Sequence, residues 1–307
     1  AHGVTTAYLA QGWSWEGGTR GPDHAEALLR AIEAYRPDAL TDLRVQLRAE
    51  TRFVEGVPRL LAAVERFGVG YVVFNDHLEE GLQMARQAPA DFAVWARKAG
   101  TQPETLRARL DAALKCAAEV PRSLCTMAEA FDRLGVSYGS HDDPDGETRE
   151  YYTMIGARIA EFPLTKRAAS AAHAMMCPVI MGAPNVVRGG SQAGNVAAEE
   201  LITAGQCDAL VSDYHIPALA LAAWTLVERG VLDLPRAWAL ISEKPAEILR
   251  LPDRGRLNPG LRADLVVVNA ETRAIEATIA GGRLTYLAGE AGCRFLSQPQ
   301  ALRMAAE

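Results

Sequence analysis

Several short apolar runs in this chain stop abruptly at side chains that can do chemistry. One ends at Glu50, another at Asn75-Asp76-His77, a third at Ser140-His141-Asp142-Asp143, a fourth at Glu161 and a fifth at Ser212-Asp213-Tyr214-His215. A buried parallel strand delivers functional groups at its C-terminal end, so such endings mark candidate site residues. An imidazole beside carboxylates suits a divalent ion, zinc or manganese, as one ion or two. Glu50 is placed either to bridge two ions or to form a surface ion pair with Arg48. The stretch from Asn185 to Asn195 has another character. Arg188 offers a planar donor fork, Gly189 and Gly190 with Ser191 let backbone N–H groups approach a ligand, and a helix follows; together these suit a phosphate. His77 and His215 stand on the same rim, where they would contact substrate.

Each residue also has a plainer role. Asp213 can cap the helix expected near Ile216, His141 can be an ordinary loop histidine, and Asp142-Asp143-Pro144-Asp145-Gly146 reads equally as a turn and helix cap. Lys166 and Arg167 suit a solvated helix face. The Trp13 and Trp15 loop either shapes a pocket or covers apolar surface.

The elements that must position these residues alternate. Strands are expected at Val4–Leu9, Asp42–Ala49, Gly70–Phe74, Val136–Gly139, Arg158–Ala160, Pro178–Met181 and Ala209–Val211, with helices between them. Among these helices, His24–Tyr35 would be capped by Asp23, and the others include Val57–Phe67, Asn195–Ala204, Ile216–Arg229 and Leu234–Leu249. His2 and His173 are assigned to helical pieces. Leu78–Leu134 is helical throughout, broken at Pro89, Gly100 and Pro121. It is too long for an ordinary crossover and is expected to be a lid or an oligomer contact. After Arg250 the texture changes to Gly/Pro punctuation and three antiparallel strands, Ala263–Val268, Ala274–Ile279 and Arg283–Leu287, with a turn at Gly281-Gly282. The pattern predicts an α/β fold, a barrel or a doubly wound sheet, with a small β appendage.

At 307 residues, with 49% apolar and 23% charged residues, the chain has a core to bury and is not of disordered composition. A net charge of −6 argues against a broad basic surface for nucleic acid, so an anionic substrate would need local arginines or a metal ion. An odd five cysteines without zinc-ribbon spacing suit a reducing compartment. No run is long and apolar enough to span a membrane, and no signal peptide opens the chain, so a cytoplasmic location without a membrane partner is expected. Homo-oligomer formation is left open.

Lys244-Pro245-Ala246-Glu247-Ile248-Leu249, Arg254-Gly255-Arg256-Leu257, Pro259-Gly260 and Ala263-Asp264-Leu265-Val266-Val267 resemble the C-terminal signature of the amidohydrolase superfamily. Ser140-His141-Asp142-Asp143, Glu161-Phe162-Pro163, Met181-Gly182-Ala183-Pro184-Asn185, Val187-Arg188-Gly189-Gly190-Ser191 and Ser212-Asp213-Tyr214 resemble its branch that hydrolyses α-D-ribose 1-methylphosphonate 5-triphosphate in the carbon–phosphorus lyase pathway.

The resemblance implies a metal-dependent (β/α)8 TIM-type barrel, with its first strand missing here, and a small C-terminal β-sandwich part. The barrel would span 1–250 with the helical insertion 78–134, the β part 251–290 and a tail 291–307. It implies Asp213 as the aspartate that binds metal and activates water, His141 as a metal histidine, and Glu161 where a second histidine ligand commonly stands. The implied substrate is a small sugar triphosphate. The His-x-His pair of the superfamily's first strand is absent, Gln192 stands for a histidine and Ala49 for a cysteine, so the chain is expected to begin after a removed N-terminal segment. Two other readings stay open: a deaminase or amidase reaction on the same barrel, or a non-catalytic assembly component.

Overall fold

In the computed structural model, which describes residues 1–297, the seven expected runs become seven strands: β1 (Thr6–Trp13), β2 (Asp42–Glu50), β3 (Tyr71–Asn75), β4 (Ser137–His141), β5 (Ile159–Glu161), β6 (Val179–Gly182) and β7 (Ala209–Val211). They pair in parallel in the order β1 to β7, each beside its sequence neighbour. The sheet is strongly curled. Gln46 on β2 donates to Glu161 on β5 at 2.5 Å, whereas three strand spacings on a flat sheet would hold them about 14 Å apart. Its inward face has a core of its own from Tyr71, Val73, Ile159, Ile180 and Ala209. Among the described residues no pairing joins β7 to β1.

The helices are α1 (Pro22–Tyr35), α2 (Val57–Phe67), α3 (Leu78–Gln87), α4 (Pro89–Lys98), α5 (Pro103–Lys115), α6 (Val120–Leu134), α7 (Gly146–Met154), α8 (Lys166–Ala174), α9 (Ala183–Arg188), α10 (Ala198–Thr203), α11 (Ala218–Glu228), α12 (Leu234–Ala239) and α13 (Glu243–Ile248), whose Ile248 packs on the inward core. The apolar stripes of α1, α2 and α6 pack on β1 to β4, with Leu29, Leu60, Met127 and Phe131 buried. α8 to α12 do the same for β6 and β7. Within 78–134, α3 to α5 enclose a separate cluster of Leu78, Leu82, Phe92, Leu106 and Leu110, which buries Trp15 of the β1 loop. Trp13 instead enters the main core. Both indoles therefore pack against apolar surface.

Three expected element ends move for local reasons. α1 is capped by Gly21 with Pro22 opening the helix, and Asp23 lies in its first turn. The expected helix Leu234–Leu249 divides at Ser242, because Pro245 inside one continuous helix would clash with the carbonyl four residues earlier. Residues 1–4, including His2, are not helical, although Gly3 does take a positive φ. His173 lies on α8 as expected and is exposed.

The C-terminal strands β8 (Leu265–Val268), β9 (Ile275–Ala280) and β10 (Arg283–Leu287) form an antiparallel sheet in the order β10-β9-β8, turning at the left-handed pair Gly281-Gly282. Arg254 ties this end to the bottom of the large sheet, donating to Thr6 Oγ1 and Asp42 Oδ2 at 2.7 Å each. Of the expected tail 291–307, the first residues belong to α14 (Gly289–Leu296), and 298–307 lie outside the described residues.

Candidate active site

Parallel register decides which strand-end residues share the inner face. His141 is opposite Glu161, Glu50 is opposite Asn75, and Arg48 is flanked by Gly12 on β1 and Val73 on β3. Partners in a parallel pair point the same way. Since Gln46 and Tyr71 reach Glu161 across the enclosed space, all of these side chains face inward at the C-terminal rim.

His141 and Glu161 form an open corner. Glu161 is buried, and its Oε1 accepts from Gln46 at 2.5 Å and from the Tyr71 hydroxyl at 2.6 Å. Burial, reinforced by the Glu161 charge, pushes the Tyr71 phenol well up, so it stays protonated and donates. Glu161 Oε2 has no hydrogen bond, and neither does either ring nitrogen of His141. Nδ1 lies 2.9 Å from Asp142 Oδ2 but off the line a hydrogen bond needs, and Nε2 stands 3.9 Å from Glu161 Oε2. Buried polar atoms without partners are rare and call for a reason. A divalent ion with bonds of about 2.1 Å to nitrogen and oxygen can bridge two such atoms, so the donors present fit a metal.

Asp213 stands on the same rim, two residues past β7. Among the described residues its carboxylate has no hydrogen bond or ion pair, and α11 is capped at Pro217, so the helix-cap role is not taken up. Its Oδ2 lies over Gly182, where an added Cβ would sit 3.8 Å from it and 3.1 Å from the Phe162 ring. Phe162 in turn packs on His141, with ring centroids 5.2 Å apart. Asp213 does not bring an oxygen within 4.8 Å of both His141 and Glu161. Asp142, Phe162 and Asp213 all hold positive φ (60°, 53° and 49°), a conformation disfavoured for side-chain-bearing residues. Strain gathered at the ends of β4, β5 and β7, on one rim, is typical of functional sites.

The floor beneath is rigid. Arg149 is fully buried and donates to Ser140 Oγ (2.6 Å), Asp143 Oδ2 (3.1 Å) and the Ile159 carbonyl (3.1 Å), clamping β4 to β5 from the outer side. Burial nevertheless leaves the Asp143 carboxyl above its ordinary pKa. Asp145 caps α7 by accepting the Thr148 N–H, which holds its carboxyl below the ordinary pKa.

Glu50 joins a different group. The His77 N–H donates to Glu50 Oε2 at 3.2 Å and its ring Nδ1 meets Oε1, while Glu16 brings a third potential ligand atom, all within 4.8 Å of one another. No Arg48–Glu50 ion pair forms. Burial works to lower the His77 pKa, but the Glu50 hydrogen bond and charge outweigh it, and the net shift is upward. Glu16 is already well supplied. It accepts from Ser14 Oγ (3.2 Å), from Arg20 at both oxygens (3.1 and 3.2 Å) and from the Trp95 indole (2.6 Å). Sequence reading passed over Glu16 because it follows no apolar run; its flanking Trp15 and Gly17-Gly18 were the available signal.

The glycine loop also departs from expectation. Ala183–Arg188 is helical, with Pro184 at its start and left-handed Gly189 at its end. The N–H groups of Gly189 and Gly190 both bond to the Asn185 carbonyl, so they serve the helix end. Asn185 Oδ1 accepts from the Ala198 N–H, fixing the start of α10, which begins at 198 and not at Asn195. Arg188 is exposed, donates to the Tyr214 hydroxyl and has no carboxylate partner among the described residues. Ser191 Oγ accepts from Ala193 N–H, while Asn195 and His215 are exposed. Lys166 and Arg167 form exposed pairs with Glu200 and Glu147.

An amidohydrolase family model matches residues 1–291. The chain belongs to the amidohydrolase family. Within it, this amidohydrolase is 32% identical over 284 residues to the Escherichia coli (strain K12) protein named α-D-ribose 1-methylphosphonate 5-triphosphate diphosphatase, covering 90% of this chain and 74% of that one. Its fold is like those of the β-aspartyl dipeptidase of Fervidobacterium islandicum AW-1 (TM-score 0.57, 15% identity, 95% of this chain and 76% of that one) and the ochratoxinase of A. niger (0.57, 14%, 94% and 75%).

Proposed function

We propose that this amidohydrolase is a triphosphate diphosphatase, which releases pyrophosphate from α-D-ribose 1-methylphosphonate 5-triphosphate and leaves the 5-phosphate. The unpartnered His141–Glu161 corner, with the free Asp213 carboxylate on the same rim, carries the chemical reading. The name of the 32% identical relative supports the substrate. His141 and Glu161 would hold zinc or manganese, with Asp213 on the same rim beside them, and the ion when bound would polarise phosphoryl oxygens and acidify water.

The chain's own residues do the rest. Tyr71 and Gln46 fix the Glu161 carboxylate through Oε1 and leave Oε2 facing His141. Asp213 accepts the proton of the attacking water, whose oxygen adds to the α-phosphorus while the α–β bridging oxygen leaves with pyrophosphate. Arg188, steadied by Tyr214, neutralises the triphosphate. Glu50 remains with His77.

The finer fold reading is a (β/α)8 barrel spanning 1–250, with the helices of 78–134 inserted and a β-sandwich part in 251–290. Among the described residues neither β1 nor β7 has a second strand beside it, which accords with that reading. Among the described residues no helix is long and apolar enough to cross a membrane, and a cytoplasmic location accords with that. Assay of the full chain with added manganese or zinc tests the proposal: pyrophosphate should appear from the sugar triphosphate, and no turnover on it would end the reading.

A further inference from the structure

The polar pocket on the β1–β3 side of the rim, about 270 Å³, contains charges that match one another with a single exception. Arg20 is paired with Glu16, and His77 with Glu50. Arg48 is left over. Its side chain points inward from β2, half-buried, and among the described residues no carboxylate lies within ion-pair distance of it. Among the described residues its only hydrogen bond runs from Nε to Gln46 Oε1 at a long 3.5 Å. A half-buried guanidinium without a counter-charge is costly, and binding an anion relieves that cost. Beside it, Asn75 is buried and lines the same pocket, and among the described residues its side-chain NH2 donates to no acceptor and is free to donate to an anion. Gly12, flanking Arg48 on β1, contributes no side chain, and Arg20 packs over it, where an added Cβ would sit 3.1 Å from the Arg20 Cβ.

Arg48 and Arg188 are therefore two cations without carboxylate partners on one rim, on β2 and just after β6, with the β4–β5 corner lying between those strands. We infer that Arg48, with the Asn75 amide, receives a second tetrahedral anion of the substrate, a phosphonate group at the end remote from the triphosphate, which as a sugar ester spreads one negative charge over two oxygens. This rests on the triphosphatase reading for the identity of the other end. A planar fork reading two oxygens of one tetrahedral anion is the interaction at which arginine is strongest.

The direct test uses methylphosphonate alone, titrated into the full chain and followed by calorimetry, and so needs no turnover. Arg48→Gln should weaken binding at least about tenfold, Arg48→Lys should fall between it and the parent, and Arg188→Gln should change it less than about twofold. Equal affinity in Arg48→Gln and the parent overturns the inference, as does absence of binding to the parent. Should Arg48→Gln fail to fold, Asn75→Ala decides, with a weakening of about threefold expected and no change overturning. In turnover, Arg48→Gln should reduce about tenfold the KM preference for the sugar with the C1 methylphosphonate over ribose 5-triphosphate. An unchanged preference counts against Arg48. If the parent releases pyrophosphate from neither compound, the triphosphatase reading falls and the methylphosphonate titration still decides this one.

Discussion

Two polar clusters share one rim of this amidohydrolase, and they differ in how completely their atoms are partnered. Around Glu16, Glu50 and His77 the carboxylates take hydrogen bonds from Ser14, Arg20, Trp95 and His77. Across the rim, His141 has no hydrogen bond and Glu161 is satisfied at one oxygen only. Proximity of ligand-type atoms favours the first cluster, which brings three of them within 4.8 Å. Unmet hydrogen-bonding capacity favours the second. A group already bonded within the chain would have to surrender those bonds to bind an ion, whereas an orphaned buried pair gains by binding one. The first cluster is thus read as structure, and its ties to the helical insertion through Trp95 and Arg109 support that.

Variants can break this contrast. The largest effect belongs to the open corner. Asp213→Asn and His141→Ala should each lower pyrophosphate release by about 10²–10⁴-fold, with the thermal midpoint little changed for the exposed Asp213 and lowered modestly for His141, which gives up its packing on Phe162. A large loss of stability without loss of activity would reverse the assignment. Next is the clamp under β4: Arg149→Ala strands the buried Asp143 and should destabilise by about 3–5 kcal/mol in urea melts. Glu16→Gln, which weakens the bonds to Arg20 and Trp95, should cost about 1–3 kcal/mol while leaving bound metal per chain unchanged.

The smallest effect is a pH dependence. The folded-state pKa of His77 lies above its unfolded value, so the pairing stabilises fully below about pH 6.5 and is lost as pH rises through the folded pKa. The stability gap between the parent and His77→Gln should therefore be widest below about pH 6.5 and narrow as pH rises through the folded pKa. A gap that widens with pH would show that the pairing with Glu50 is not what holds His77.

Much of this was legible in the chain. Apolar runs such as those of β3, β6 and β7 mark strands covered on both faces, β2 alternates apolar residues with Arg44, Gln46 and Arg48, and the polar endings fall on one rim because parallel strands end together. His141 and Glu161 were both visible as such endings. Pairing was not, because it depends on register: the sequence of β2 alone cannot reveal that Glu50 turns to His77 and leaves Arg48 unmatched. The Asn185–Asn195 stretch was read as loop because Gly189-Gly190 dominates it, yet Pro184 and Gly189 are also the start and stop signals of the short helix that forms. Glu16 escaped because its partners Trp95 and Arg109 lie far along the chain.

The central claim is that the unsatisfied corner, and not the tighter acidic group, takes the divalent ion. A crystal of the full chain grown with zinc, with diffraction recorded on both sides of the zinc absorption edge, tests it directly. The account predicts an anomalous peak bonded to His141 Nε2 and Glu161 Oε2. A peak among Glu16, Glu50 and His77, with none beside His141, would contradict it.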